Sequence, residues 1–99
     1  MATKSRAERE LMDFDMVFKA LAHPSRRYIL TVLLAKGDEM NAGEIVSKLS
    51  HKWPTITRHL RQLEHAGLVK VKKVSTQVVY HLNKERMQSV LENWLQFFK

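Results

Sequence analysis

The sequence predicts a mainly helical α+β fold in which a small β-hairpin precedes the last helix, in the order α-α-α-α-β-β-α. Apolar residues recur at intervals of three and four, the spacing of one helix face, in five separate segments. Between the fourth and fifth of these, apolar and polar residues alternate in two short runs, which is typical of paired strands. At 99 residues, the chain is expected to form a single domain over 1–99 with one small core.

Proline, glycine and a capping pattern bound the first three predicted helices. The first ends near His23, because Pro24 disfavours helical backbone in the residue before it. Pro24 itself suits the first turn of a second helix, which ends at Gly37. Asn41 is expected to cap a third helix, with Glu44 in the capping-box position. The residues expected to face inward are Leu11, Phe14, Val17, Phe18 and Leu21 in the first helix and Ile29, Leu30, Leu33 and Leu34 in the second.

The fourth helix is predicted to open at Pro54, to close at Gly67 and to carry a basic face. Residues 47–77 hold seven Lys or Arg and one acid, so six of the seven net positive charges lie there. This local positive charge indicates a polyanionic partner, of which nucleic acid is the commonest and an anionic membrane surface the alternative. Ile56, Leu60 and Leu63 are expected on the inner face, and Thr57, Arg58, Arg61 and His65 on the outer one.

Two strands and a last helix follow. Val69 and Val71, then Val78, Tyr80 and Leu82, alternate around a polar tip at 72–77. The helix that starts after Asn83 carries more apolar surface than a terminal helix can leave in water, so we expect it to pack against a second copy of the chain. The predicted dimerisation segments are 1–22 and 83–99. The interface is expected to contain Leu11, Phe14, Phe18, Val90, Leu91, Trp94, Phe97 and Phe98.

The composition excludes several classes of protein. With zero cysteines, the chain has no disulfide, no thiolate metal site and no cysteine nucleophile. No run of about 18 apolar residues occurs, and the N-terminus MATKSRAERE lacks the apolar core of a signal peptide. The protein is therefore expected in the cytoplasm. Neither a nucleophile turn nor a phosphate-cradling glycine loop is present, so no catalytic activity is expected.

Three segments, FKALAHPSRRYILTVLL, TITRHLRQLEHAGLV and VVYHL, resemble the signatures of the ArsR family of small bacterial repressors. The resemblance covers about Phe18 to Leu82, and ENWLQFF near the C-terminus resembles a metal-independent autorepressor subgroup. It implies a winged helix-turn-helix, with the helix-turn-helix in 41–66 and a wing in 68–82. It also implies a homodimer, joined through the first and last helices, that represses its own promoter by binding an imperfect inverted repeat.

In such a fold the fourth helix lies in the DNA major groove. Base reading is then expected of Thr55, Thr57 and Arg58. Phosphate contacts are expected of residues around that helix and on the hairpin. The whole predicted DNA-binding set is Lys52, Pro54, Thr55, Thr57, Arg58, His59, Arg61, Gln62, Lys70, Lys72, Lys73 and Gln77. At the tip, Val74, Ser75 and Thr76 replace the glycine and arginine usual in the family, which favours a longer or looser turn.

The metal site of metal-sensing relatives is not expected in this chain. Their Cys-x-Cys pair corresponds to Asn41 and Gly43, and the last helix offers Glu85 and Glu92 but no histidine. His59 and His65 lie six residues apart on different faces of the predicted fourth helix, and His23, His51 and His81 lie on separate elements. We therefore predict neither a metal nor another cofactor. Three alternatives stay open at this point: a sensor of the same fold that responds to a small effector or a protein partner, a non-specific architectural DNA binder, and a protein-interaction module.

Overall fold

The structure, a computed structural model, describes residues 5–99. Those residues form the helices α1 (Arg6–Leu21), α2 (Pro24–Ala35), α3 (Ala42–Lys48), α4 (Trp53–His65) and α5 (Lys84–Leu95), and a 3-10 turn at Gln96–Phe98. They also form the strands β1 (Glu39–Asn41), β2 (Val69–Val74) and β3 (Gln77–Leu82). The first predicted dimerisation segment begins in 1–4, outside the described residues. None of the helices in 5–99 is long and apolar enough to cross a membrane.

The sheet has one strand more than the predicted hairpin. Within 5–99 the strand order is β1-β3-β2, with both neighbouring pairs antiparallel. Strand β1 lies between α2 and α3 in the chain and pairs Met40 with Tyr80 of β3. The predicted element order is therefore wrong at this point. Three residues with one apolar side chain are too short for an alternating pattern, so only the pairing with β3 defines this strand.

The core lies between the inner faces of the helices and the base of the sheet. Helix α2 presents a narrower apolar stripe than predicted, because Leu33 is fully buried whereas Leu34 is 55% exposed. The buried apolar residues of the described chain are Phe14, Val17, Ala20, Ile29, Leu30, Leu33, Met40, Ile45, Ile56, Leu60, Leu63, Ala66, Leu68, Val69, Leu82 and Val90. The predicted inner face of the fourth helix is confirmed within this set.

The predicted helix ends are confirmed where specific residues define them. Before α3, the Glu44 backbone N–H donates to Asn41 Oδ1 at 2.8 Å, and the Asn41 N–H donates to Glu44 Oε1 at 3.1 Å, which completes the capping box. Gly37 and Gly67 have φ values of 81° and 78° after α2 and α4. Such positive φ values suit glycine at helix C-termini.

The hairpin tip is tighter than predicted. Strand pairing continues out to Val74 and Gln77, which leaves Ser75 and Thr76 as the whole turn. Ser75 takes φ 58°, the conformation that glycine usually supplies at the first position of a type II′ turn. The expectation of a longer or looser turn is wrong, because the ladder from Val69 to Val74 aligns both strands as far as the last pair.

Candidate nucleic-acid interface

Helix α4 separates its apolar and polar residues onto opposite faces. Ile56, Leu60 and Leu63 are at most 2% exposed, which fixes the helix on the core. The side chains predicted to meet DNA point the other way. Thr57, Arg58, Arg61 and Gln62 are exposed, Thr55 is half-buried, and Lys52 and Pro54 are exposed at the start of the helix.

The wing (Val69–Leu82) carries four further residues of the predicted DNA-binding set, all of them exposed, but it divides its lysines between two faces. Side chains alternate along a strand, so Lys70 and Lys72 share one face while Lys73 lies on the other. Lys70 stands opposite His81, and Lys72 opposite Val79. The fourth predicted residue, Gln77, is exposed beside the turn. The three lysines therefore cannot all meet one DNA strand in the same way.

Sequence reasoning missed Trp53, which lies between the two basic parts of this surface. It is the first residue of α4 and is 53% exposed. With the start of α3 and the wing tip, it lines an open groove of about 340 Å³. Other residues of that groove include Gly43, Thr76 and Val78. The available signal was a large aromatic residue outside the apolar stripe of an otherwise basic helix.

We predict that DNA binding will change the fluorescence of Trp53 but not that of Trp94, the other tryptophan of the chain. A Trp94→Phe variant leaves Trp53 as the only indole, and its emission is expected to shift to shorter wavelength as DNA displaces water. The matched Trp53→Phe variant leaves Trp94, which packs against Phe18 at 5.0 Å and should emit alike with and without DNA. Equal changes in both variants would contradict the placement of Trp53 at the interface.

The structure corrects the expectation for His59. This side chain is 9% exposed and lies beneath the basic face, with its ring centroid 4.4 Å from that of His23 and 6.2 Å from that of His51. Burial, and then the neighbouring His23 and Arg26, lower the pKa of His59. A buried, neutral imidazole is poorly placed to bind a phosphate, so His59 supports the packing of α4 on the start of α2.

The same contacts correct the view that the histidines are scattered. Three of them meet where the start of α2, the loop before α4 and α4 itself converge. His51 Nε2 and Ser25 Oγ are 2.9 Å apart, and the Ser25 backbone N–H donates to His23 Nδ1 at 3.2 Å. Residues 36 positions apart in sequence, such as His23 and His59, can be neighbours only through tertiary packing, which the sequence pattern does not contain.

The positions that correspond to the family's metal ligands have other roles here. Asn41 uses its side chain to cap α3, and Gly43 lies in the first turn of that helix. Among residues 5–99, no group of three or more His, Cys, Asp or Glu side chains is arranged to hold a metal ion. Metal independence stays a prediction from the donor residues.

Helices α1 and α5 pack on each other and leave apolar surface exposed. Phe14 and Val90 are 4% and 5% exposed in the single chain, so their predicted place at a dimer interface is corrected: the protomer buries them itself. Phe97 packs edge-on against Phe14, and Trp94 contacts both Phe18 and Phe98. We call the exposed residues that remain the terminal apolar patch: Leu11, Trp94, Leu95, Phe97 and Phe98.

Comparison with known proteins agrees with this architecture. A helix-turn-helix domain family matches residues 21–72. The transcriptional repressor SdpR of Bacillus subtilis is 35% identical over 79 residues, which are 80% of this chain and 84% of SdpR. An ArsR-like transcriptional regulator from Rhodococcus aligns with a TM-score of 0.78 and 25% identity over 89% of this chain and 80% of its own.

A third relative was solved as a homodimer. It is the winged helix-turn-helix DNA-binding domain of a possible ArsR-family regulator from Mycobacterium bovis, with a TM-score of 0.72 and 25% identity. The alignment covers 96% of this chain and 88% of that domain. These relatives are transcriptional regulators rather than enzymes. The fold, the helix-turn-helix match and the similarity to SdpR together show that this chain belongs to the ArsR family of winged helix-turn-helix transcriptional regulators.

Proposed function

We propose that this protein is a homodimeric repressor in the cytoplasm. It binds operator DNA, including an operator in its own promoter, and excludes polymerase from the promoters that it occupies. The observation that carries the proposal is the exposed face of α4, where Thr57, Arg58 and Arg61 point away from the core. The lysine-bearing wing lies beside it. Two copies of α4 would read two half-sites of an inverted repeat, about one helical turn or roughly 34 Å apart.

The residues of this surface divide into two roles. Arg58, with Thr55 and Thr57, is assigned to base edges, because the N-terminal part of a recognition helix meets the bases and arginine can donate two hydrogen bonds to guanine. Residues at the periphery of the surface are assigned to phosphates, which position a protein without reading sequence. These residues are Lys52, Arg61, Gln62, Lys70, Lys72, Lys73 and Gln77.

The terminal apolar patch supports the dimer. Phe97 and Phe98 are 65% and 70% exposed, and two such rings side by side in one 3-10 turn are an unusual surface for a monomer. The Mycobacterium bovis relative is homodimeric. A second copy that places its own patch against this one would bury both in a symmetric interface.

We predict that Phe98→Asp will dissociate this dimer. Light scattering of the unmodified protein should give twice the chain mass of 11.6 kDa, and the variant should approach a single mass at micromolar concentration because a carboxylate cannot be buried unpaired. Val74→Asp is the matched control, since Val74 is also exposed (52%) but lies on the wing. A mass of 11.6 kDa for the unmodified protein at all concentrations would contradict the dimer.

Repression without metal is the simplest regulatory scheme that these residues allow. Asn41 and Gly43 offer no thiolate, and α5 offers no imidazole. SdpR is itself named a repressor. The signal that releases the operator would then be a small effector or a protein partner, or release would follow from the protein's own concentration.

A titration tests the proposal directly. The purified protein is added to its own upstream DNA and to scrambled DNA of equal length, once with a chelator and once with added zinc. We expect tight binding that prefers the upstream DNA by about 10³-fold or more, with the same affinity in both metal conditions. Equal, weak binding to both DNAs would instead indicate an architectural role, and loss of binding with zinc would refute metal independence.

A further inference from the structure

We propose that Arg86 is a positioning residue for operator binding, which holds the C-terminal end of α4 against the helices of the dimer interface. Its guanidinium makes two contacts with different elements. Nε donates to the Ala66 carbonyl at the end of α4 at 3.2 Å, and Nη2 donates to Asp13 Oδ1 of α1 at 3.2 Å. We refer to this arrangement as the Arg86 latch. Its role in spacing two half-sites rests on the proposed dimeric function.

Asn83, at the start of α5, completes the latch. Its side-chain Nδ2 donates to the Gly67 carbonyl at 3.0 Å, and its backbone N–H donates to the Leu68 carbonyl at 2.9 Å. Its Oδ1 accepts from the Arg86 backbone N–H at 3.2 Å. Three successive carbonyls after α4, from Ala66 to Leu68, are thus bound by the first turn of α5.

The chemistry of the latch suits a helix C-terminus. The last carbonyls of a helix lack partners within it, and a cation beside them also interacts favourably with the helix dipole. Arginine is the side chain that can bind a carbonyl and a carboxylate at once with one rigid group. The guanidinium lies close to the backbone at Gly67, since a Cβ added there would be 3.1 Å from Arg86 Nε. The absence of a side chain there lets the guanidinium approach the backbone.

The position of the latch at one end of α4 allows it to affect where the base-reading residues lie. Helix α4 has 13 residues and is therefore about 20 Å long. A change of about 10° in the direction of the helix axis would displace one end of α4 relative to the other by about 3 Å, close to the rise of one base pair. The base-reading residues lie at that N-terminal end. In a symmetric dimer both helices would tilt, so the latch would set which distance between half-sites is preferred.

The latch is distinct from the interactions that keep α4 folded. Ile56, Leu60 and Leu63 keep α4 folded on the core, so removal of the Arg86 guanidinium should leave α4 formed. Only its C-terminal end would be held less firmly, which permits small changes in the direction of the helix axis. A matched ion pair lies on the same turn of α5: Lys84 Nζ and Asp38 Oδ2 are 2.9 Å apart. That pair joins α5 to the turn before β1 and does not touch α4, so Lys84→Met is the control for Arg86→Gln.

The first experiment measures the position of α4 within one protomer. The chain has no cysteine, so spin labels on Lys19→Cys in α1 and Gln62→Cys in α4 would be unique. Labelled chains are diluted with unlabelled ones, and the distance distribution between the two labels is measured by electron spin resonance. We expect a narrow distance distribution in the otherwise unmodified protein and in the Lys84→Met variant. The distribution should be broader or shifted in Arg86→Gln and intermediate in Arg86→Lys. An unchanged distribution in Arg86→Gln overturns the latch.

The second experiment measures spacing selectivity. Duplexes carry the two half-sites that the unmodified protein selects from random DNA, separated in steps of one base pair. We expect the preference for the best spacing over its neighbours to fall by roughly fivefold or more in Arg86→Gln, with the dimer mass unchanged. A changed label distance with full spacing selectivity would overturn the positioning role alone. Absence of any spacing preference in the unmodified protein would overturn the dimeric operator as well, while the label distance still decides whether Arg86 holds α4.

Discussion

Raising the salt concentration from about 50 to 200 mM is expected to weaken DNA binding by this protein by roughly 10³- to 10⁵-fold. Each protomer exposes Lys52, Arg61 and three wing lysines around the polar face of α4. If two protomers use most of these on phosphates, binding releases about 6–10 counterions, and affinity then falls with salt at a slope of about −0.9 for each of them. Such a loss exceeds that of any single substitution predicted for this surface.

The measurement is the binding constant at five or six salt concentrations, plotted on logarithmic axes. We expect a slope between about −5 and −9. Lys73→Gln removes one charge from each protomer and should make the slope shallower by about 2 if both copies contact phosphate. Lys70→Gln on the opposite face of the wing is the comparison, and unequal effects of the two would identify the face that meets DNA. A slope shallower than about −2 would mean that phosphates contribute little and that the basic surface is not the DNA interface.

Arg58→Ala is expected to reduce the ratio of specific to non-specific binding by about fivefold or more for each half-site. A bidentate contact from arginine to guanine contributes about 1–3 kcal/mol of discrimination, and Arg58 is exposed in the N-terminal half of α4. Alanine preserves the helix, so protein stability should change by less than about 0.5 kcal/mol. The dissociation constants for operator and scrambled DNA, measured in the same buffer, give the ratio directly.

Lys73→Ala is the control for that experiment. Because Lys73 is assigned to a phosphate, its loss should weaken binding to both DNAs alike and leave the ratio of the two affinities unchanged. The opposite pattern, with the ratio kept in Arg58→Ala and lost in Lys73→Ala, would show that the wing and not α4 reads the sequence.

Local rules were sufficient to predict most of the elements around this surface. The amphipathic spacing of Ile56, Leu60 and Leu63 predicted both the buried and the exposed face of α4, and the structure confirms them. Asn41 and Glu44 predicted the start of α3, because a capping box depends on residues only three apart. Signals of this kind act within one or two helical turns and can be read from one sequence.

The features that escaped prediction depend on contacts between distant segments. Strand β1 exists because it pairs with β3, some 40 residues later. Ser75 adopts a glycine-like φ because the ladder behind it aligns the strands. The helix pattern predicted that His59 would support the helix boundary or contact a phosphate, and its packing against His23 places it beneath the surface. Trp53 was overlooked because one aromatic residue at the start of a helix has no periodicity by which to place it.

Strand β1 also determines which part of this protein could be moved to another regulator. Met40 pairs with Tyr80, and the Leu82 backbone N–H donates to the Asp38 carbonyl at 2.7 Å, so the wing is joined to the segment that precedes α3. A graft of α4 and the wing alone would leave the β3 edge without its partner. The smallest transplant that carries its own sheet is therefore 38–82, and chimaeras should be cut before Asp38.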